Sequence, residues 1–189
     1  MRKKKHRIIV GVLLSGGIDS CALLWLYLRQ AFTVRAFFVN FGQPAARQEL
    51  KAAQTICDYY KIPLSIFTCK GSVDISEGEI LGRNAFLIFS AVLMSQIEAA
   101  IISIGIHAGT SYYDCGEEFI NTVQRIVDGY SAGRIKIAAP FLGWNKRMIW
   151  EMCKKYKLPV HLTYSCELGG THPCGKCLSC KDREALGVL

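Results

Sequence analysis

The segment Ser15-Gly16-Gly17-Ile18-Asp19-Ser20 follows the β-branched apolar run Ile8–Leu14 and precedes a second apolar stretch, Cys21–Leu28. Two adjacent glycines leave backbone amides uncovered, two serines add hydroxyls, and a helix beginning here would add its own free N–H groups. Together they form a nest for phosphate oxygens, in which Asp19 could orient Mg²⁺ or a phosphate-bound water. The alternative is an ordinary strand-to-helix turn with Asp19 as its cap. The segment has neither the GxGxxG of dinucleotide folds nor the GxxxxGK(S/T) of the common nucleotidase loop, which argues against hydride transfer and against a G-protein-like mechanism.

A second constellation lies near the end of the chain. Cys166, Cys174, Cys177 and Cys180 are spaced Cys-x7-Cys-x2-Cys-x2-Cys, with Gly175 able to make a tight knuckle. Four thiolates suit tetrahedral Zn²⁺ and leave no open coordination position, so such a site is structural, not hydrolytic. A reactive thiol or a Cys-x-x-Cys redox pair is the alternative, without the helical context that pair requires. His172, inside the same stretch, could replace a cysteine as ligand, support the surface or contact substrate.

Five further residues could complete a site. Gln43 can hydrogen-bond a planar base, orient a phosphate or cap the helix that follows it. Arg83 carries a donor fork for phosphate or carboxylate, against the alternative of a surface salt bridge, and Asn84 can cap the next helix. His107 can bind substrate or move a proton near neutral pH, or serve as a hydrogen-bonded loop residue. Asp114 offers two acceptor oxygens to an amino-bearing edge, or caps a helix. Lys146 can neutralise phosphate charge or stand as an exposed lysine, with Trp144 beside it closing the core or stacking on a base.

The elements that must position these residues follow from periodicity. Ile8–Leu14, Phe32–Phe41 and Ile62–Thr68 read as strands, with helices over Cys21–Leu28 and Ala45–Tyr60. After a polar, glycine-bearing loop from Cys69 to Arg83 come a helix over Ala85–Ala99 and a strand over Ala100–Ile106. A short helix over Glu117–Val127, a strand over Ile135–Ala139 and a helix over Trp144–Tyr156 complete the pattern. This alternation predicts a Rossmann-like α/β fold, a parallel sheet with helices on both faces. From His161 helical periodicity is lost and too little apolar material remains for a separate core. The expected organisation is a basic tail over 1–7, a nucleotide-binding domain over 8–160 and a zinc-binding segment over 161–189 joined to it.

A length of 189 residues with 51% apolar content supports one full core. The net charge is +8, and five of the positive charges lie in Met1–Arg7, leaving +3 for the rest. Four zinc-bound thiolates would lower the folded total to about +6. The balance favours anionic partners without choosing among phosphates, nucleic acid or a membrane surface. No apolar stretch is long enough for a membrane span, and the basic start leads into glycines and an aspartate instead of a cleavage site. A reducing cytoplasm is the expected setting for close-spaced thiols that hold a metal.

Ser15–Ser20 resembles the SGGxDS signature of the PP-loop ATP pyrophosphatases, which cleave ATP between its α and β phosphates. Leu162-Thr163-Tyr164-Ser165-Cys166, Gly169-Gly170, Pro173-Cys174-Gly175, Cys177, Cys180 and Arg183 together resemble the 7-cyano-7-deazaguanine synthase family. So do Phe41-Gly42-Gln43, Gly82-Arg83-Asn84, Asp114-Cys115 with Phe119, and Pro140-Phe141 with Trp144-Asn145-Lys146. The resemblance runs from about Ile8 to Leu186. It implies ATP-dependent conversion of 7-carboxy-7-deazaguanine and ammonia to 7-cyano-7-deazaguanine through adenylated intermediates, with ATP, Mg²⁺ and structural Zn²⁺. Ser15, Gly16, Gly17, Ile18, Asp19 and Ser20 would hold phosphates. Arg83 and Lys146 would stabilise charge, and Gln43, His107 and Asp114 would meet the deazapurine. Two departures stand out. Gln43 continues into Pro44-Ala45 where the family usually has a basic residue and histidine, and the loop before Asp114 is about two residues short and lacks an aspartate. They keep open transfer to another amine with arrest at the amide. tRNA sulfuration and a non-catalytic nucleotide-sensing or nucleic-acid-binding zinc protein are further alternatives, and a homodimer could complete the pocket.

Overall fold

The computed structural model describes residues 8–69, 80–96, 99–109 and 111–188. The expected basic tail and most of the loop before Arg83 lie outside the described residues.

Five parallel strands form one sheet: β1 (Ile9–Leu13), β2 (Thr33–Asn40), β3 (Leu64–Thr68), β4 (Ile101–Ser103) and β5 (Lys136–Ala138). Their spatial order is β3-β2-β1-β4-β5. In the central register Val12 of β1 stands between Ala36 of β2 and Ser103 of β4. Side chains alternate between the faces, and helices cover both, so the inner strands read as continuous apolar runs.

Helices α1 (Ile18–Arg29), α2 (Ala46–Tyr60) and α5 (Lys146–Lys155) supply one apolar layer, where Leu23, Leu24, Ile56 and Ile149 meet Val10, Val12, Leu14 and Phe38. Helices α3 (Arg83–Ser95) and α4 (Glu117–Ser131) supply the other, where Ile88, Phe119, Val123 and Val127 meet Leu13, Phe37, Val39 and Ile102. Tyr27 Oη donates to Ser103 Oγ at 3.0 Å, and Ser103 Oγ donates to the Ala138 carbonyl at 3.0 Å, which ties α1 to both later strands.

The chain moves outward from β1 to β3 and then returns past β1 to β4. Crossovers of one hand therefore put their helices on opposite faces, and a crevice opens at the carboxyl ends of β1 and β4. The Ser15–Ser20 turn and His107 border that crevice.

Several local expectations change. Asn84 does not cap α3: Gly82, at φ +74°, is the N-cap, and Asn84 is the helix's second residue, buried. Helix α5 starts two residues later than expected because Asn145 Oδ1 accepts the Met148 N–H at 2.9 Å. A short helix, α6 (Leu178–Ala185), occupies the tail where periodicity was absent. Its buried residue is Cys180, so it has no apolar stripe for a pattern to reveal.

The centre of the sheet is tight at Gly11, where an added Cβ would stand 2.4 Å from Phe37 Cε2 and 2.8 Å from Ile102 Cδ1. Both neighbours are buried on a packed face. Gly11→Ala is expected to destabilise the fold by about 1–3 kcal/mol through overpacking, read as a lower urea midpoint with an unchanged slope.

Candidate active site

The turn after β1 packs directly on α2. Gly16 has φ +84°, and a Cβ there would meet the Glu49 carbonyl at 2.6 Å and Ala52 Cβ at 2.9 Å. Only glycine fits both the angle and the space. Gly17 is the N-cap of α1, Ser20 Oγ donates to the Gly17 carbonyl at 3.0 Å, and the hydroxyls of Ser15 and Ser20 lie 3.2 Å apart. Ile18 is in the core and can contribute only its backbone N–H to a ligand. The first-turn amides of α1 have no partner within the helix and carry its positive end, the features that bind anions.

Asp19 projects from that first turn. Lys146 Nζ donates to Asp19 Oδ2 in an ion pair whose side chains are 27% and 21% exposed. Asp19 Oδ1 is buried with no hydrogen-bond partner among the described residues. A buried carboxylate oxygen without a donor calls for a cation or a bound donor group. This fits Mg²⁺, which is commonly held by one or two carboxylates together with substrate phosphates.

His107 closes the same cluster. Its Nδ1 accepts the Gly109 N–H at 3.0 Å, so the neutral ring carries its proton on Nε2, which lies 3.9 Å from Asp19 Oδ2. Burial lowers its pKa below the ordinary 6.5; Asp19 raises it, Lys146 lowers it further, and Asp182 on α6 raises it. The Ala108 N–H donates to the Trp144 carbonyl at 2.8 Å, which fixes the histidine loop against the start of α5, and Trp144 packs against Phe141 in the core.

The other expected residues gather on the far side of the turn. Gln43 Oε1 accepts the Phe41 N–H at 2.9 Å, and its Nε2 donates to Glu49 Oε2 at 2.9 Å and to the Val39 carbonyl at 3.3 Å. Its amide thus ties the loop after β2 to the first turn of α2. Glu49 is a residue the pattern did not single out. Burial raises its pKa, while the Gln43 hydrogen bond and the Arg83 charge lower it. Arg83, in the first turn of α3, donates from Nε to Asn84 Oδ1 at 3.3 Å.

Asp114 sits beneath the start of α3. It is 6% exposed, and its Oδ2 accepts the Asn84 N–H at 3.2 Å while Oδ1 faces the Cys115 thiol at 3.7 Å. It serves the start of α3, not its own helix, whose N-cap is Gly116. In return Asn84 Nδ2 donates to the Asp114 carbonyl at 3.0 Å.

The sulfurs of Cys166, Cys174, Cys177 and Cys180 all lie within 4.8 Å of one another. Tetrahedral Zn–S bonds of about 2.3 Å would separate them by about 3.8 Å, and Cys174 and Cys180 already stand 3.8 Å apart. The backbone N–H groups of Cys177 and Lys176 point at Cys174 Sγ and bring its pKa down to about 6, which favours the thiolate a metal requires. His172 is not in this cluster; its Nδ1 lies 3.2 Å from Thr171 Oγ1.

Comparison with known proteins decides the family. The profile described as "Queuosine biosynthesis protein QueC" matches residues 74–186, and that described as "Asparagine synthase" matches residues 3–77. The 7-cyano-7-deazaguanine synthase of Aquifex aeolicus (strain VF5) is 35% identical over 212 residues, covering 96% of each chain. The chain belongs to the QueC-type 7-cyano-7-deazaguanine synthase family. The synthase of Sulfurihydrogenibium sp. (strain YO3AOP1) is 32% identical over 210 residues, covering 96% of this chain and 94% of that one. Among solved structures, a U34-tRNA thiolase from Methanococcus maripaludis gives a TM-score of 0.59 at 18% identity, covering 96% of this chain and 65% of that one. NMN synthetase from Francisella tularensis gives 0.53 at 18% identity, covering 97% and 73%. At that identity the likeness is one of fold. QueC-type membership within the PP-loop superfamily makes the chain an ATP-using ligase. No helix among the described residues is long and apolar enough to cross a membrane.

The lowered pKa of His107 has a defined consequence. Folding favours the neutral imidazole, so its stabilisation is full above pH 6.5 and is lost as the pH falls through the lowered folded value. His107→Gln is therefore expected to flatten the fall in melting temperature on the acid side of pH 6.5, measured by thermal unfolding across that range.

Proposed function

We propose that this chain converts 7-carboxy-7-deazaguanine and ammonia to 7-cyano-7-deazaguanine at the expense of ATP. The observation that carries the reading is the Asp19–Lys146–His107 cluster beside the glycine turn, with one Asp19 oxygen buried and unserved. The family supplies the ligase chemistry; the acceptor, the amine and the intermediates are this reading's own.

In the first half-reaction a carboxylate oxygen of the acceptor attacks the α-phosphorus of ATP, and the bond to the β-phosphate bridging oxygen breaks. Pyrophosphate leaves and an acyl-adenylate remains. The first-turn amides of α1, the hydroxyls of Ser15 and Ser20, and Lys146 Nζ would hold the departing charge. Asp19 would hold Mg²⁺, which supplies charge neutralisation for phosphate oxygens when bound. Arg83, whose charge acts on Glu49 of α2, would add a further positive charge. His107 would donate from Nε2 to a phosphate oxygen or to Asp19, depending on which is nearer once ATP is bound. Asp114 and Gln43 act one step back, holding the start of α3 and the loop after β2.

Ammonia then adds to the activated carbonyl and AMP leaves, giving the amide. Nitrile formation requires the amide oxygen to attack the α-phosphorus of a second ATP, releasing pyrophosphate, and then to leave within AMP as the amide nitrogen gives up its two protons. The four cysteines enter neither step; they would hold Zn²⁺ as a structural centre.

The test incubates metal-loaded protein with MgATP and 7-carboxy-7-deazaguanine, with and without ammonia, and follows AMP, pyrophosphate and product mass. Two AMP per nitrile are expected. One AMP with accumulated amide would instead assign transfer that stops at the amide, and folded protein that forms no AMP would overturn the reading. Lys146→Ala is expected to lower kcat by about 10²–10³-fold, the usual loss when a charge-stabilising donor is removed. Metal analysis of the purified chain should return zinc, with the content falling in Cys180→Ser.

A further inference from the structure

The tail does more than end the chain. From Thr163 to Gly170 it lies across the glycine turn and the neighbouring loop after β2. The Tyr164 N–H donates to the Gly16 carbonyl at 2.9 Å. The Tyr164 carbonyl and Ser165 Oγ flank Gly17, 3.8 and 3.9 Å from where its Cβ would stand. Gly169, at φ +72°, approaches so closely that a Cβ there would stand 2.1 Å from the Pro44 carbonyl oxygen. The Tyr164 hydroxyl donates to the Gly170 carbonyl at 2.7 Å, bracing the segment against itself. Cys166, one of the four clustered thiols and 2% exposed, lies between the two contacts. Arg183 of α6 donates to Thr163 Oγ1 at 3.1 Å and anchors the segment's first residue.

The Gly16–Gly17 peptide is a planar trans unit, so its C=O and N–H point in opposite directions. Whatever holds the Gly16 carbonyl therefore aims the Gly17 N–H. In this structure that N–H faces Ser15 Oγ at 3.4 Å, on the side of the phosphate nest. The hydrogen bond from Tyr164 thus does more than pack the tail: it sets the direction of an anion donor. The segment itself has little apolar burial, since Leu168 is 56% exposed and Glu167 and Gly170 are exposed. Hydrophobic packing alone leaves it weakly held. Closing four thiolates would join Cys166 to the knuckle and to α6, fixing the backbone on both sides of Tyr164.

We propose that Thr163–Gly170 is a positioning strap for the phosphate turn, and that metal at the four cysteines strengthens phosphate binding through it. Tyr164 and Gly169 are its positioning residues. The proposal rests on the reading of Ser15–Ser20 as a phosphate site.

The test measures equilibrium binding of inorganic pyrophosphate and of a non-hydrolysable ATP analogue to the full chain, before and after metal removal, with circular dichroism and melting followed in parallel. The expected result is binding about tenfold weaker without metal, the scale of one well-placed hydrogen bond. Metal-loaded Tyr164→Pro, which lacks the N–H, and Gly169→Ala should weaken pyrophosphate binding to a similar extent while keeping their metal. Equal affinity with and without metal would overturn the proposal. If chelation melts the core as well, the two metal-loaded variants decide, and unchanged pyrophosphate affinity in both overturns it. Metal-loaded wild-type protein that binds neither probe would instead remove the phosphate-site reading itself.

Discussion

The turn after β1 has no room for a side chain at Gly16, and the arrangement of the site follows from that exclusion. The turn lies flat on the backbone of α2 because nothing separates it from the Glu49 carbonyl and Ala52. Its opposite edge is left for the start of α1 and for the tail that bonds the Gly16 carbonyl. A β-carbon here would push the turn off α2 and disturb the amides that make the nest. Because the turn sits at the carboxyl end of β1, beside β4, the same geometry places it at the crevice where the strand order reverses.

Charge is organised around this turn with some internal opposition. Lys146 and Arg147 occupy the first turn of α5, the end of a helix that favours negative charge. Asp19 offsets the disadvantage for Lys146, while Lys146 compensates Asp19 for the water it loses on partial burial. The pair is only partly exposed and one carboxylate oxygen stays unserved, which is costly for a structural ion pair and suitable for a site that receives a charged ligand. The pKa of His107 beside it is lowered because burial and Lys146 together outweigh the attraction of Asp19 and Asp182.

The loop after β2 is held from two sides. After Gln43 comes Pro44, whose carbonyl receives the close approach of Gly169. Gln43 turns inward to Glu49 instead of outward. The loop is thus tied to the tail and to α2, and Arg83 is braced through Asn84, which in turn is held by Asp114.

Residue types and short spacings determined the α/β alternation, the glycine turn and the four-cysteine cluster, because each rests on contacts between near neighbours or on periodicity along the chain. Pairings across the fold were decided by tertiary structure alone. Asp19 and Lys146 are 127 residues apart and meet because α5 packs against α1. Asp114 and Asn84 are 30 residues apart and meet because the turn before α4 packs against the start of α3. Helix α6 escaped the pattern because cysteine, not an apolar stripe, anchors it. The bond from Tyr164 to Gly16 is carried by backbone atoms, which every residue but proline shares, so no residue type could have announced it.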